Sequence, residues 1–414
     1  MSLPQELFDM IIDEASRFPN KVERTRALIA LALVSRAFRE RAHDYLFTSV
    51  AFNNQKDTMD AIKRFLGLLE ADPNSETIGV ASRITSFECC IPLHATPTDP
   101  LVTVLKKLFI GNGRPASLSL QFICSRRWSS LAEDLAQELF EVSHRPQLAS
   151  LSIYHLHDIP RNFLRNSFIK RLFLADVSVS DTQLPESLFA GMDDQGHSET
   201  GTLEFLHISV EKPILTLLTS SQQSGNSSAV FSHLKELRFF PPTSGEFDPG
   251  RNFDKILVGC KERLEILKIS LGTETDPLTL LSFPKLPNLH TFDVTALTPS
   301  ETSLSSLAMF LNQTECPNLH TIHLRFRISP RVLSLDDEEI LPSLDGVGCK
   351  VLDDIFAQKK FNHVRKLTLR ILCYHKSHYP ALRTAGKCKT LILSRFPHIA
   401  TCEHLTFLVD VTIF

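Results

Sequence analysis

One short apolar pattern recurs along the chain and limits what it can become. L-x-x-L-x-L, with other apolar residues substituting, occurs at Ile84-Phe87-Cys89, Leu148-Leu151-Ile153, Ile169-Leu172-Leu174, Leu203-Leu206-Ile208 and Leu234-Leu237-Phe239. It returns at Leu264-Leu267-Ile269, Leu289-Phe292-Val294, Leu319-Ile322-Leu324, Val364-Leu367-Leu369 and Cys388-Leu391-Leu393, with a weaker instance at Leu118 and Leu120. The alternation is that of a strand with one face buried. Between instances, residues 130–142, 252–260, 302–312 and 350–358 have helical spacing; in the first, Ser130 and Glu133 read as a capping box. A strand, a returning helix and a parallel strand cannot together bury an apolar face, so such units must stack. Residues 81–414 are therefore predicted to form an α/β solenoid, with an ordinary Leu-rich α/β sheet domain as the alternative. A strand and a helix carrying Ile62 and Phe65 connect it to what precedes, over residues 51–80.

The first fifty residues have a different texture. Ser2 and Gln5 suit a helix cap and Pro4 suits a first turn, so a helix is expected from Leu3, with Leu7, Ile11, Ile12 and Ala15 on its apolar stripe. A second helix is expected over residues 27–34, and a third after Ser35, burying Phe38, Ala42, Tyr45 and Leu46. Three short helices make a small core that gains from packing on something else.

Leu3-Pro4-Gln5-Glu6-Leu7, an apolar helix, and then Leu33-Val34-Ser35-Arg36-Ala37-Phe38 resemble the F-box, in particular the F-box-like domains at the N-termini of many fungal proteins. That resemblance implies docking on the Skp-type adaptor of an SCF cullin ubiquitin ligase. Leu3, Pro4, Leu7, Ile11, Leu33, Val34, Ser35 and Phe38 would be the adaptor-binding residues, although Phe38 stands where many members carry Trp. The later part resembles the degenerate leucine-rich repeats that often follow F-boxes, implying an irregular horseshoe. Several of its spacings are long, and the position that usually carries Asn or Cys holds Leu156, Val177, Glu211 or Pro242 instead. The side-chain ladder of regular repeats is therefore expected to be absent.

Strand alternation then assigns an inner face. Its central row would be Ser152, Phe173, His207, Arg238, Lys268, Asp293, His323, Thr368 and Ile392, flanked by Tyr154, Arg171, Phe205, Glu236, Phe240, Arg325, Lys366 and Arg370. Phe173, His207, Arg238, Lys268, Asp293, His323, Arg325, Lys366 and Arg370 are the candidate client-binding residues. Their basic excess suggests an acidic or phosphorylated client segment, against the alternative of a plain solvated face.

With a net charge of −3, nothing points to nonspecific nucleic-acid binding, and no nucleic-acid partner is expected. Nine cysteines without a C-x-x-C, no secretion signal and no membrane-length apolar run point to a reduced compartment, cytoplasm or nucleus, with no membrane partner. No catalytic motif and no zinc-type spacing occurs, and the pairs His155/His157 and His375/His378 lack companions, so no cofactor, metal or catalytic residue is expected. The leading expectation is a non-catalytic substrate receptor. A repeat scaffold without a ligase role and a degenerate α/β enzyme are the alternatives.

Overall fold

Pro4 has no amide to donate and so suits a helix start; α1 runs Gln5–Ser16 directly after it. α2, Lys21–Ala32, follows Asn20, whose side chain accepts from the Val22 amide at 2.9 Å. α3, Arg36–Leu46, follows Ser35, whose hydroxyl accepts from the Phe38 amide at 3.3 Å. The Ser35 cap stands where the sequence puts it. α1 starts later than expected and has no side-chain cap; Ser2 and Leu3 lie outside the described residues. α2 starts at Lys21 rather than residue 27 because Asn20 satisfies an amide of its first turn.

The computed structural model describes residues 4–53, 57–70, 80–92, 99–111, 113, 115–189, 203–210, 230–240, 249–271, 285–296, 301–328, 347–373, 386, 389–390 and 392–413. The chain divides into two units: residues 1–172 with 180–184, and residues 173–179 with 185–414.

In the first unit, the three helices close over Ile12, Ala15, Leu28, Ala32, Phe38 and Ala42, with the Phe8 ring 4.7 Å from that of Phe38. Polar ties reinforce this small core. Arg41 donates to Asp13 at 3.0 Å, and the Tyr45 hydroxyl donates to the same oxygen at 2.7 Å. The Tyr45 bond, with Arg41 behind it, holds the Asp13 carboxyl below its ordinary range. α4 is Thr58–Glu70 and α5 is Val80–Arg83. The side chain of Arg83, the last residue of α5, is nearly buried: it donates to the Glu40 carbonyl at 2.8 Å and pairs with the Glu40 and Asp44 carboxylates. The clamp fastens the helical module to the elements that follow it.

Those elements are parallel strands β1 (Ser49–Phe52), β2 (Ser86–Ile91), β3 (Ser117–Arg127) and β4 (Ser150–His157), paired in chain order. Helices α6 (Asp99–Leu105) and α7 (Glu133–Ser143) fall between them in the chain. α7 begins at Glu133 after Ala132 and not at the expected Ser130 box, because Ser130 belongs to a 3-10 turn in which its hydroxyl donates to the Arg127 carbonyl. The ring of Trp128 in that turn packs 4.9 Å from Phe163.

Glu138 on α7 is 1% exposed, and one of its oxygens has no partner among the described residues. Burial first, then the Glu141 charge, pushes its pKa up to about 7, despite Lys106 at 3.7 Å. The unfolded chain ionises this group near 4.5, so the native state binds the extra proton and is penalised progressively as pH rises from about 4.5 to 7, fully above that. Glu138→Gln is expected to leave stability unchanged at pH 4.5 and to raise it by about 1–3 kcal/mol at pH 8. Urea denaturation at the two pH values checks this, and equal stability at pH 8 would contradict it.

β5 (Arg171–Val177) spans the division between the units. The second unit continues with β6 (Phe205–Val210), β7 (Glu236–Phe239), β8 (Ile266–Leu271), β9 (Thr291–Ala296), β10 (Thr321–Ile328), β11 (Lys366–Cys373) and β12 (Thr406–Ile413), each parallel to the next. α8 (Pro249–Cys260), α9 (Glu301–Gln313), α10 (Val347–Phe356) and the short α11 (Pro397–Ala400) lie between strands in sequence. The protein is thus α/β, with a parallel sheet and helices, as expected.

Every L-x-x-L-x-L triplet from Ile84 to Leu369 has all three residues buried. One device recurs at the strand entrances: two successive amides share one carbonyl of the strand before. Lys235 and Glu236 share the Glu204 carbonyl, Glu265 and Ile266 that of Lys235, His290 and Thr291 that of Glu265. The series goes on with His320 and Thr321 on His290, and Arg365 and Lys366 on His320. It sets the same register at each step.

The last triplet is a correction. Leu393 lies in a helical turn, Ile392 is buried, and Cys388 and Leu391 are outside the described residues. The strand is β12 instead; Val409 within it and Leu405 just before it are buried. The expected absence of a side-chain ladder also needs amending. Asn288 donates to the Glu262 carbonyl at 2.7 Å and Asn318 to that of Pro287 at 2.8 Å, while Gln147 serves the Phe109 carbonyl in the first unit. The amides that satisfy loop backbone sit before the strand, in Pro-Asn-Leu and Pro-Gln-Leu, and not after it.

Candidate partner-binding surfaces

α1 buries one stripe and exposes another. Phe8, Ile12 and Ala15 face the module's core, which leaves Leu7, Met10 and Ile11, one turn apart, in water; Leu7 is 40% and Ile11 46% exposed. α2 does the same: Leu28 and Ala32 go inward, while Val22, Ile29 and Leu33 share the outer stripe. Leu33, at 76%, and Val34 cap the helix in the open. Single exposed apolar residues are common, but large apolar side chains gathered at helical spacing mark a surface that expects company.

Of the expected adaptor-binding residues, Pro4, Leu7, Ile11, Leu33, Val34 and Ser35 are therefore accessible, and Leu3 lies outside the described residues. Phe38 is buried, as the third helix was expected to bury it, and so is not presented beside them as an adaptor contact: it is 7% exposed, packed on Phe8, and contributes to the core of the helical module. Met10, Val22 and Ile29 are exposed apolar residues that the sequence reading did not single out. The signal was present, since Met10 falls at i+3 from Leu7, and Val22 and Ile29 at helical spacing before Leu33.

In the second unit, pairing places His207, Arg238, Lys268, Asp293, His323 and Thr368 directly beside one another across six strands, the expected central row. At its start is an aromatic cluster. Phe173 lies 4.5 Å from Phe205 and 5.5 Å from His207, and His207 stacks on Phe240 at 4.9 Å. The Arg238 guanidinium sits 4.9 Å over Phe205, which is itself buried rather than presented on the face. Burial, with Arg238 adding to it, lowers the pKa of His207 to about 4, so this imidazole is neutral at physiological pH.

The basic excess is smaller than the sequence suggests, because the face neutralises itself. Arg238 and Lys268 converge on Glu236 at 2.7 and 3.1 Å; burial resists ionisation of this carboxyl, but their hydrogen bonds outweigh it and lower its pKa. Arg325 pairs with Asp293 at 2.8 Å, and Asp293 is buried, its other oxygen unpartnered among the described residues. Arg370 meets Asp410 at 3.0 Å, a carboxylate the sequence reading left out because it placed the last strand at the wrong segment. Lys366 is exposed, and His323 is half-buried with a pKa lowered chiefly by burial.

Among the described residues no cluster of His, Cys, Asp or Glu could hold a metal ion, and no helix is long and apolar enough to cross a membrane. No family model matches the chain, and no curated protein matches it.

Proposed function

We propose that the chain is a non-catalytic substrate receptor of an SCF-type cullin ubiquitin ligase. Its F-box-like helices would take the Skp-type adaptor, while the later strands, as an irregular leucine-rich-repeat solenoid, would take a client protein. The observation that carries this reading is the exposure of Pro4, Leu7, Ile11, Leu33 and Val34, the positions that the F-box resemblance assigns to adaptor contact. The repeated shared-carbonyl register and the buried triplets support the solenoid. Client contact falls on the row from His207 to Thr368 and on Lys366 and Arg370 beside it. Charge reversal at Lys366 and Arg370 that left client capture unchanged would remove this face from the reading.

The second reading, a repeat scaffold with no ligase role, is favoured by the Arg83 clamp, which ties α3 into the first unit as a structural cap would be tied. Co-purification of the intact chain with its own organism's Skp-type adaptor separates the two. The receptor reading expects capture, lost in the folded Leu7→Asp/Leu33→Asp variant; the scaffold reading expects none from the wild type.

A further inference from the structure

The second unit holds a cavity of about 270 Å³ between the C-terminal end of α9, the segment leading to β10 and the turn Lys359–Phe361. Phe310, Leu311, Leu319 and Phe361 make its wall largely apolar, and all four are buried. Besides Lys360 and Glu315, which pairs with Lys285 at 2.8 Å, two polar groups in that wall have unpartnered atoms. Thr314 is 2% exposed, yet its hydroxyl has no hydrogen-bond partner among the described residues, and neither has Nε2 of His363. The backbone at Cys316 engages the His363 ring, and burial lowers its pKa, which favours the neutral imidazole with Nε2 unpartnered. An unpartnered buried hydroxyl is a costly thing for a fold to keep.

Burial disfavours charge on Cys316 and Lys360, and the Glu315 carboxylate is already engaged by Lys285. Burial pushes the Cys316 thiol up to about 12, which rules it out as a nucleophile, and burial lowers the Lys360 ammonium, whose nitrogen is already committed to the Asn312 carbonyl. A cavity of this size, apolar and carrying a few convergent polar atoms, has the make-up of a small-molecule site. We propose that it binds a small, uncharged, largely apolar molecule bearing a hydroxyl group, its apolar body on the Phe310 and Phe361 side chains and its hydroxyl serving Thr314 or His363. The proposal stands whether or not the chain serves a ligase.

The fluorescence of 2-naphthol, titrated with the full chain, reads binding, and naphthalene is the reference without the hydroxyl. The wild type is expected to bind 2-naphthol roughly tenfold more tightly, the worth of one hydrogen bond to a buried group. Thr314→Val or His363→Phe should bring that ratio to about one while naphthalene still binds. Leu311→Trp should fill the cavity and abolish both, with thermal melting confirming the fold; if it does not fold, the Thr314→Val and His363→Phe ratios decide. No binding of either ring by the wild type, equal binding of the two, or a naphthol preference that survives both polar substitutions would overturn the proposal.

Discussion

Phe38→Ala is expected to destabilise the N-terminal helices by about 3–5 kcal/mol, enough to unfold them ahead of the rest of the chain. The ring sits in a core built from a few side chains, and its neighbour Phe8 has no second aromatic among the described contacts to fall back on. A cavity there cannot be closed by small shifts, since Ile12, Ala15 and Leu28 are already buried around it. Leu33→Ser, by contrast, removes a side chain that is mostly in water and should change stability by no more than about 0.5 kcal/mol. Helical circular dichroism followed through a urea titration reports both. A Phe38→Ala midpoint close to the wild type would show that this core is not what holds the helices together.

The second large effect is expected at Asp353. This carboxylate lies on α10, 3% exposed, and accepts from the amides of His398 and Ile399 at 3.1 and 2.9 Å while His398 Nδ1 approaches at 2.9 Å. It satisfies the start of α11, whose own capping residue, Phe396, offers no side-chain hydrogen bond. Asp353→Ala strands one buried and one part-buried amide and should cost about 3 kcal/mol. The loss is local, because β12 pairs only with β11 among the described strands and is anchored by the turn that Asp353 holds. Hydrogen exchange at residues 406–413 should accelerate in the variant far more than exchange in β9 or β10. Uniform protection across all three strands would contradict this account.

Much of this was legible from the sequence, for a reason visible in particular residues. A triplet such as Leu264-Leu267-Ile269 carries its burial in its spacing, because alternate strand residues must face the same way wherever the strand lies. The cross-strand row from His207 to Thr368 follows from the same rule once the register is constant. What failed did so where several physical solutions compete for one local pattern. Cys388-Leu391-Leu393 has the right spacing, yet the strand formed at Thr406–Ile413, whose β-branched run suits an extended backbone better. The Ser130 box lost to a turn that used the same hydroxyl differently. Phe38 reads both as a core residue of the third helix and as an adaptor contact, because a motif says which residues occur together but not which way each one points; its ring points into the core. The pairing of Arg238 and Lys268 on Glu236 escaped notice because a count of charges ignores who sits beside whom.

The exposed apolar residues of α1 and of the end of α2, Leu7 and Leu33 among them, carry the central claim, and a binding titration of the purified chain against its organism's Skp-type adaptor tests it most directly. The account predicts saturable binding by the wild type and a loss of at least about a hundredfold in Leu7→Asp/Leu33→Asp at unchanged melting temperature, the effect of charging the centre of an apolar interface. Wild-type chain that fails to bind, or a double variant that binds as well as the wild type, would contradict it.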